Sequence, residues 1–298
     1  MRFAAIDIGS NAIRLLISDI VQTEQSTYLA KKNTLIRVPL RLGDDAFLDK
    51  KLSERKTDDL LKTMQAFKNL LDVYKVSDYM ACATSALRET TNGPEIVKLI
   101  KRKTGLEITI IEGKTEAGMI YATHTEQLLD KRKSYLYIDV GGGSTELSLF
   151  TEGVLLASNS FNIGTIRMLD NQDSEYTWEE MKAWVKANTG HITNLQAIGT
   201  GGNINKLYRL SEEKNGSPLS VSKLRALYNY LNGFSLKERI GILGLKQDRA
   251  DVIIPASEIF LCLARWANFK QIIVPSTGLV DGIIQLLIEK HSSLAGTI

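Results

Sequence analysis

The sequence predicts an α/β protein built from one domain used twice, with a cleft between the copies. Strand-like and helix-like segments alternate along the chain, which is the pattern of a sheet covered by helices. Segment 6–17, IDIGSNAIRLLI, returns as IDVGGGSTELSL at 138–149, with Asp7 over Asp139 and Gly9 over Gly141. Two further matches follow in the same order: CATSALR (82–88) with IGTGGNI (198–204), and IIEGKTEAGMI (110–120) with IIVPSTGLVDGI (272–283). One weak match can be chance; several in register argue for duplication. The junction is expected near 120–130. This gives domains 1–124 and 125–298, with the last helix a candidate to pack back on the first domain.

The elements follow in chain order. RFAAIDIG is an apolar strand entering a turn, and AIRLLISDIV is the strand that pairs back. Residues 52–74, LSERKTDDLLKTMQAFKNLLDVY, place apolar side chains at helical spacing, with Ser53 or Thr57 as the cap. DYMACATSALRE reads as a strand, a Thr-Ser turn and a helix start. Asn92-Gly93-Pro94 opens the helix EIVKLIKRKT, which Gly105 ends. LEITIIEG is a strand and KTEAGMIYATHTEQLL a helix. SYLYIDVGGGSTELSLF repeats the strand–turn–strand unit. Helices are expected at 174–188 and 223–231, with LQAIGTGG between them as a strand entering a glycine turn, and 211–218 as an exposed loop. Segment 248–269 is helical with Pro255 as a kink or break. QIIVPSTG is a strand and LVDGIIQLLIEKH the last helix.

Composition bounds the function class. The chain has 298 residues, 44% apolar and 24% charged, which is ordinary for a soluble globular protein. No apolar run reaches the roughly 18 residues of a membrane span. Asp7 interrupts the apolar N-terminus, so no signal peptide is read and a cytoplasmic location is expected. Cys82 and Cys262 lie in apolar segments and read as buried, reduced thiols. His124, His191 and His291 stand far apart, which argues against zinc. A net charge of +3 does not argue for nucleic acid. The basic runs 101–103 and 131–133 read as solvated faces, or as attractors of a polyanion.

The glycine turns carry the functional signal. A Gly-rich hairpin can aim successive backbone N–H groups at an anion without side-chain obstruction. One D-x-G is ordinarily only a turn. DIGSN, GGGSTE and GTGG in one chain point instead to a phosphate group. Known nucleotide motifs do not account for them. Gly113-Lys114-Thr115 lacks the P-loop glycine five residues earlier, where Ile108 stands. Gly199–Gly202 meets Ile204, and Gly141–Gly143 meets Glu146, where a dinucleotide fingerprint needs its third glycine.

Taken together, DIGSN (7–11), ATSALRE (83–89), EGKTEAG (112–118), DVGGGSTE (139–146), IGTIR (163–167), GTGGN (199–203) and STGLVDG (276–282) resemble the exopolyphosphatase / guanosine pentaphosphate phosphohydrolase family in its short two-domain form. The resemblance implies two duplicated ribonuclease-H-like domains of the actin, sugar-kinase and heat-shock-ATPase superfamily. It implies hydrolysis of terminal phosphate from inorganic polyphosphate or pppGpp with a divalent metal, Mg²⁺ or Mn²⁺, and a homodimer. Carried over position by position, it makes Glu116 and Glu146 catalytic. Asp139, and with it Asp7, becomes the metal acid. Ser10, Asn11, Arg88, Gly141, Gly142, Gly143, Ser144, Gly201 and Gly202 become phosphate contacts. Lys114 and Thr115 stand where the family often has acids, and Val280-Asp281 where many members have an Arg before Glu-Gly. Read from the residues alone, Glu116 is equally an acid at a helix start, and Glu146 an acid on a strand facing solvent.

Phosphoryl transfer needs charge neutralisation and an in-line nucleophile. Water is that nucleophile here, and a carboxylate within hydrogen-bond reach orients and deprotonates it. A kinase or ATPase of the same superfamily and a non-catalytic polyphosphate or nucleotide sensor are the competing readings.

Overall fold

In the computed structural model, which describes residues 1–22, 28–122, 130, 132–214, 216–275 and 277–295, the chain divides into two compact units. The first comprises Met1–Thr123 with Gly278–Ile298, and the second His124–Thr277. His124, Lys131, Ser276 and the expected domain junction lie outside the described residues, as does the end of the helix expected over 114–129.

In the first unit, β1 (Arg2–Ile8) and β2 (Ile13–Gln22) form the DIGSN hairpin. Strand β3 (Tyr28–Val38) adds to it. Two helices follow, α1 (Leu42–Leu48) and α2 (Glu54–Val73). Ser53, not Thr57, caps α2, its side chain accepting from the Lys56 N–H. Strand β4 (Asp78–Ala83) leads into the single turn α3 (Ser85–Arg88). Helix α4 (Gly93–Thr104) ends on Gly105 at φ 75°, the left-handed stop that glycine makes without strain. Strand β5 shrinks to Thr109–Ile110, and α5 spans Gly113–Tyr121.

The second unit repeats this plan. Strands β6 (Ser134–Val140), β7 (Thr145–Thr151) and β8 (Val154–Phe161) form the meander. Helices α6 (Thr165–Leu169) and α7 (Glu175–Thr189) follow, then β9 (Gln196–Thr200) and α8 (Gly202–Leu210). Next come β10 (Leu219–Ser220), α9 (Val221–Asn232), α10 (Leu236–Gly241), α11 (Gln247–Ala250), α12 (Ile253–Ala267) and β11 (Gln271–Ile273). The break expected at Pro255 falls earlier, between α11 and α12. Pro255 sits in the first turn of α12, where no intrahelical N–H bond is lost.

Five strands of each sheet share one order, and the second sheet adds β10, antiparallel to β11, at its edge. The first runs β3-β2-β1-β4-β5 and the second β10-β11-β9-β6-β7-β8. In each, an antiparallel meander is followed by strands parallel to the first one. This is the ribonuclease-H-like sheet, and it occurs twice. Even the irregularities repeat: the register shifts between Ile17 and Ser18 in one sheet and between Leu149 and Phe150 in the other, the same position of the repeat. The edge strands β3 and β8 escape sequence reading. No residue of β3 is buried and only Phe161 of β8 is, so no clean apolar alternation marks them.

The last helix, α13 (Leu279–Ala295), the candidate to pack back on the first domain, falls in the first unit. Its apolar face, Leu279, Val280, Ile283, Ile284, Leu287 and Ile288, is buried with Phe3, Ala5, Leu16, Cys82 and Ile120. Placing six such side chains elsewhere would leave them wet, at about 1.5–3 kcal/mol each.

Candidate functional site

Each unit presents its glycine hairpin at the carboxyl end of its central parallel strands. In the first unit Asp7 closes β1 and lies in register with Arg14 of β2. The Arg14 guanidinium meets its Oδ2 at 2.5 Å, and the Asp7 side chain is 4% exposed. Burial raises the Asp7 pKa, while the Arg14 charge and hydrogen bond pull it back. The turn is anchored from behind. The Gly43 N–H donates to the Ser10 carbonyl at 2.9 Å and the Arg41 N–H to the Asn11 carbonyl at 3.0 Å. The buried hydroxyls of Ser10 and Ser85 share a hydrogen bond of 2.8 Å, tying this hairpin to the start of α3. Arg88 donates from its guanidinium to the Ile111 carbonyl at 2.8 Å.

Glu116 lies half-buried in the first turn of α5. Its position is marked by Cys82, which is in register with Asp7 on the neighbouring strand. The Cys82 thiol is pushed up to about 12, first by burial and then by the carboxylates of Asp7 and Glu116. Asp7, Cys82 and Glu116 therefore gather at one end of the first sheet. Helix α13 fixes the place of α5. A Cβ on Gly282 would stand 1.7 Å from the Met119 carbonyl oxygen, so the two helix backbones touch three residues past Glu116. Asp281, one of the departures in the sequence, is used locally: its Oδ2 accepts from the Gly278 N–H at 3.0 Å and its Oδ1 meets Lys32 at 2.7 Å.

In the second unit Asp139 faces Glu146 in the same register that pairs Asp7 with Arg14. Glu146 is 3% exposed and accepts from the Ser160 hydroxyl at 2.9 Å. The glycine turn is held by its carbonyls. Gly141 O accepts from the Thr165 N–H at 3.1 Å, and Gly142 O from the Ile166 N–H at 2.8 Å. Gly143 O accepts from the Nε of buried Arg167 at 2.6 Å. Gly164 makes this approach possible, since a Cβ there would lie 2.4 Å from the Gly142 oxygen. A trans peptide points its N–H opposite to its C=O, and no peptide bond among the described residues is cis. The N–H groups of Gly142, Gly143 and Ser144 therefore turn away from α6 together, which is an anion-binding arrangement. Thr145 takes no part, because its hydroxyl donates to the Ile163 carbonyl at 2.7 Å.

The GTGG turn sits against this hairpin. Gly201 has φ 94°, and a Cβ on it would fall 2.5 Å from the Asp139 Oδ1. Only glycine allows the carboxylate so close. A guanidinium covers Gly202: a Cβ there would meet the Arg249 Nη2 at 2.4 Å. Arg249 also donates to the Asn203 Oδ1 at 2.8 Å. No group of three or more His, Cys, Asp or Glu side chains able to hold a metal occurs among the described residues. Mg²⁺ bound to a phosphate substrate needs only one or two carboxylates, and Asp139 with Glu146 offers that donor set. Asp7, the other acid expected at a metal, lies against Arg14.

The model of the Ppx/GppA phosphatase family matches residues 20–291. The chain belongs to the Ppx/GppA phosphatase family. Among relatives, it is 28% identical over 276 residues to a bifunctional 3-dehydroquinate synthase/phosphatase of Fusobacterium nucleatum, covering 84% of this chain but 41% of that protein. It is 22% identical to exopolyphosphatase 1 of Mycobacterium tuberculosis over 95% of this chain and 87% of the relative. In fold it is similar to an exopolyphosphatase from Cytophaga hutchinsonii, with a TM-score of 0.83, 24% identity, and coverage of 97% of this chain and 98% of that one.

For this Ppx/GppA member, Gly141–Ser144, Gly201, Gly202, Asp139 and Glu146 come together in the second unit. Asp7, Ser10, Asn11, Arg88 and Glu116 belong to the first. Sequence reading missed the parts that brace or cover the second hairpin: Ser160, Gly164, Arg167 and Arg249. Arg167 stood in the matched IGTIR segment without a role. Arg249 lies 46 residues from the asparagine it contacts, so no spacing pattern could have found it. No helix among the described residues is long and apolar enough to cross a membrane.

Proposed function

We propose that this chain is an exopolyphosphatase-type phosphohydrolase that releases terminal phosphate from inorganic polyphosphate by attack of water. The observation that carries the reading is the run of N–H groups from Gly142 to Ser144, braced from behind through the Gly141–Gly143 carbonyls, beside two carboxylates in register. In this reading the amides hold phosphate oxygens, and Ser144, Gly201 and Gly202 line the same turn. Glu146 orients the water and takes its proton, and Glu116 is the catalytic carboxylate of the first unit. Ser10, Asn11 and Arg88 hold phosphate oxygens on the first unit. Mg²⁺ or Mn²⁺ on Asp139, with Glu146 in reach, would neutralise charge on the substrate oxygens. Asp7 serves its own hairpin through Arg14 rather than a metal. The free thiols Cys82 and Cys262 suit a reducing compartment, so we assign the enzyme to the cytoplasm.

The guanosine pentaphosphate reading is the alternative, favoured by the family's shared chemistry. Steady-state phosphate release from short polyphosphate, long polyphosphate and pppGpp, each with Mg²⁺ and Mn²⁺, separates the two. Polyphosphate should give the higher kcat/KM. A Glu116→Gln variant should lose about 10²- to 10³-fold in kcat while still binding polyphosphate. Turnover near wild type in that variant would remove Glu116 from the mechanism, and release from none of the substrates would sink the reading.

A further inference from the structure

The second unit carries a cationic row that the phosphate turn does not use up. Helix α8 starts at Gly202, under the Arg249 guanidinium. Lys206 and Arg209 follow at spacings of four and three residues, so the three positions share one helix face. At 1.5 Å per residue this face runs about 10 Å away from the turn. The Lys206 ammonium lies close enough to both Arg209 and Arg249 that their charges, after burial, lower its pKa. Lys206 is half-buried, and Arg209 is exposed with its Nε on the Asn205 carbonyl at 3.2 Å. Crowding like charges on one short helix destabilises it. The arrangement becomes favourable when an extended anion lies along it.

We propose that Lys206 and Arg209 form a second anion station, which holds the phosphates of an inorganic polyphosphate chain beyond the group bound at the GTGG turn and so favours long chains over substrates with few phosphates. The inference rests on the polyphosphate reading above and adds to it a source of chain-length preference. A single free phosphate, or the short triphosphate arm of a nucleotide, would fill the turn and leave the row empty.

The test compares wild type, Lys206→Met/Arg209→Met and the charge-preserving Lys206→Arg, with tripolyphosphate and long-chain polyphosphate as substrates. The double variant should raise KM for the long chain about tenfold, one charge-assisted contact's worth. Its KM for tripolyphosphate should rise less than twofold, with kcat held. The dependence of long-chain KM on salt should become shallower. Lys206→Arg should restore the wild-type KM. Equal rises for both substrates, or no rise for either, would overturn the station. Equilibrium binding of long polyphosphate to the same variants separates this failure from that of the parent reading. If wild type binds but releases no phosphate, hydrolysis falls, and the station stands or falls on whether the double variant binds about tenfold more weakly.

Discussion

The two glycine hairpins are one structure with two chemistries. Each joins strands in the same register, with an acid at the same place on the first strand. In the first unit the partner across the strands is Arg14, and an ion pair results. In the second it is Glu146, and two carboxylates face each other. Directly opposed like charges weaken a strand pair, whereas opposite charges support it. The first hairpin has thus settled its acid into the fold. The second keeps two acids beside amides. Both turns are braced through their carbonyls, the first from Arg41 and Gly43 and the second from Thr165, Ile166 and Arg167. Duplication supplied the shape twice, and the residue across the strands sets whether its acid meets a cation or a second acid.

Exchanging the roles of the two partners sharpens this difference. The largest effect is expected from Glu146→Gln. It should lower kcat for phosphate release by roughly 10³-fold, about 4 kcal/mol of barrier, with little change in the denaturant midpoint. An equal loss of stability would make Glu146 a folding residue like Arg14. Next, Arg14→Ala leaves Asp7 buried without its ion pair. Unfolding free energy should fall by about 3 kcal/mol, read by urea titration. Unchanged stability would break the claim that the first hairpin depends on this pair.

The smallest effect concerns Asp7 and pH. Its folded-state pKa is raised above the ordinary 3.8 because burial outweighs Arg14. The folded state therefore holds this proton more tightly than the unfolded chain. The Asp7 contribution to stability is complete below that value and is lost as pH rises through the raised one. Asp7→Asn removes the titration. Its stability relative to wild type should improve from pH 4 to pH 7, followed by chemical denaturation at each pH. A constant difference would show that Asp7 titrates alike in both states.

Much of this was legible in the sequence. Alternating strands and helices, the glycine turns and three internal matches mark an α/β unit used twice, and Ser53 and Gly105 mark helix ends by their own chemistry. Hidden elements had specific reasons. Strands β3 and β8 are edges with almost no buried side chains. Strand β5 was expected over LEITIIEG and forms only at Thr109–Ile110. The Pro255 break was misplaced because a proline in a first turn costs nothing.

By itself, the sequence determined that there are two hairpins, where each turns, and which acids they carry. Those are properties of neighbouring residues, set by backbone sterics and by the two short periods of strand and helix. Only the tertiary structure decided what surrounds each acid. It put Arg249 over Gly202, brought Glu116 and Cys82 to the end of the strand that holds Asp7, and returned α13 to the first unit, where Lys290 reaches Asp78 at 2.8 Å across 212 residues. Such contacts follow from packing apolar faces out of water. That drive has no direction along the chain, so no spacing in the sequence records which partners it selects.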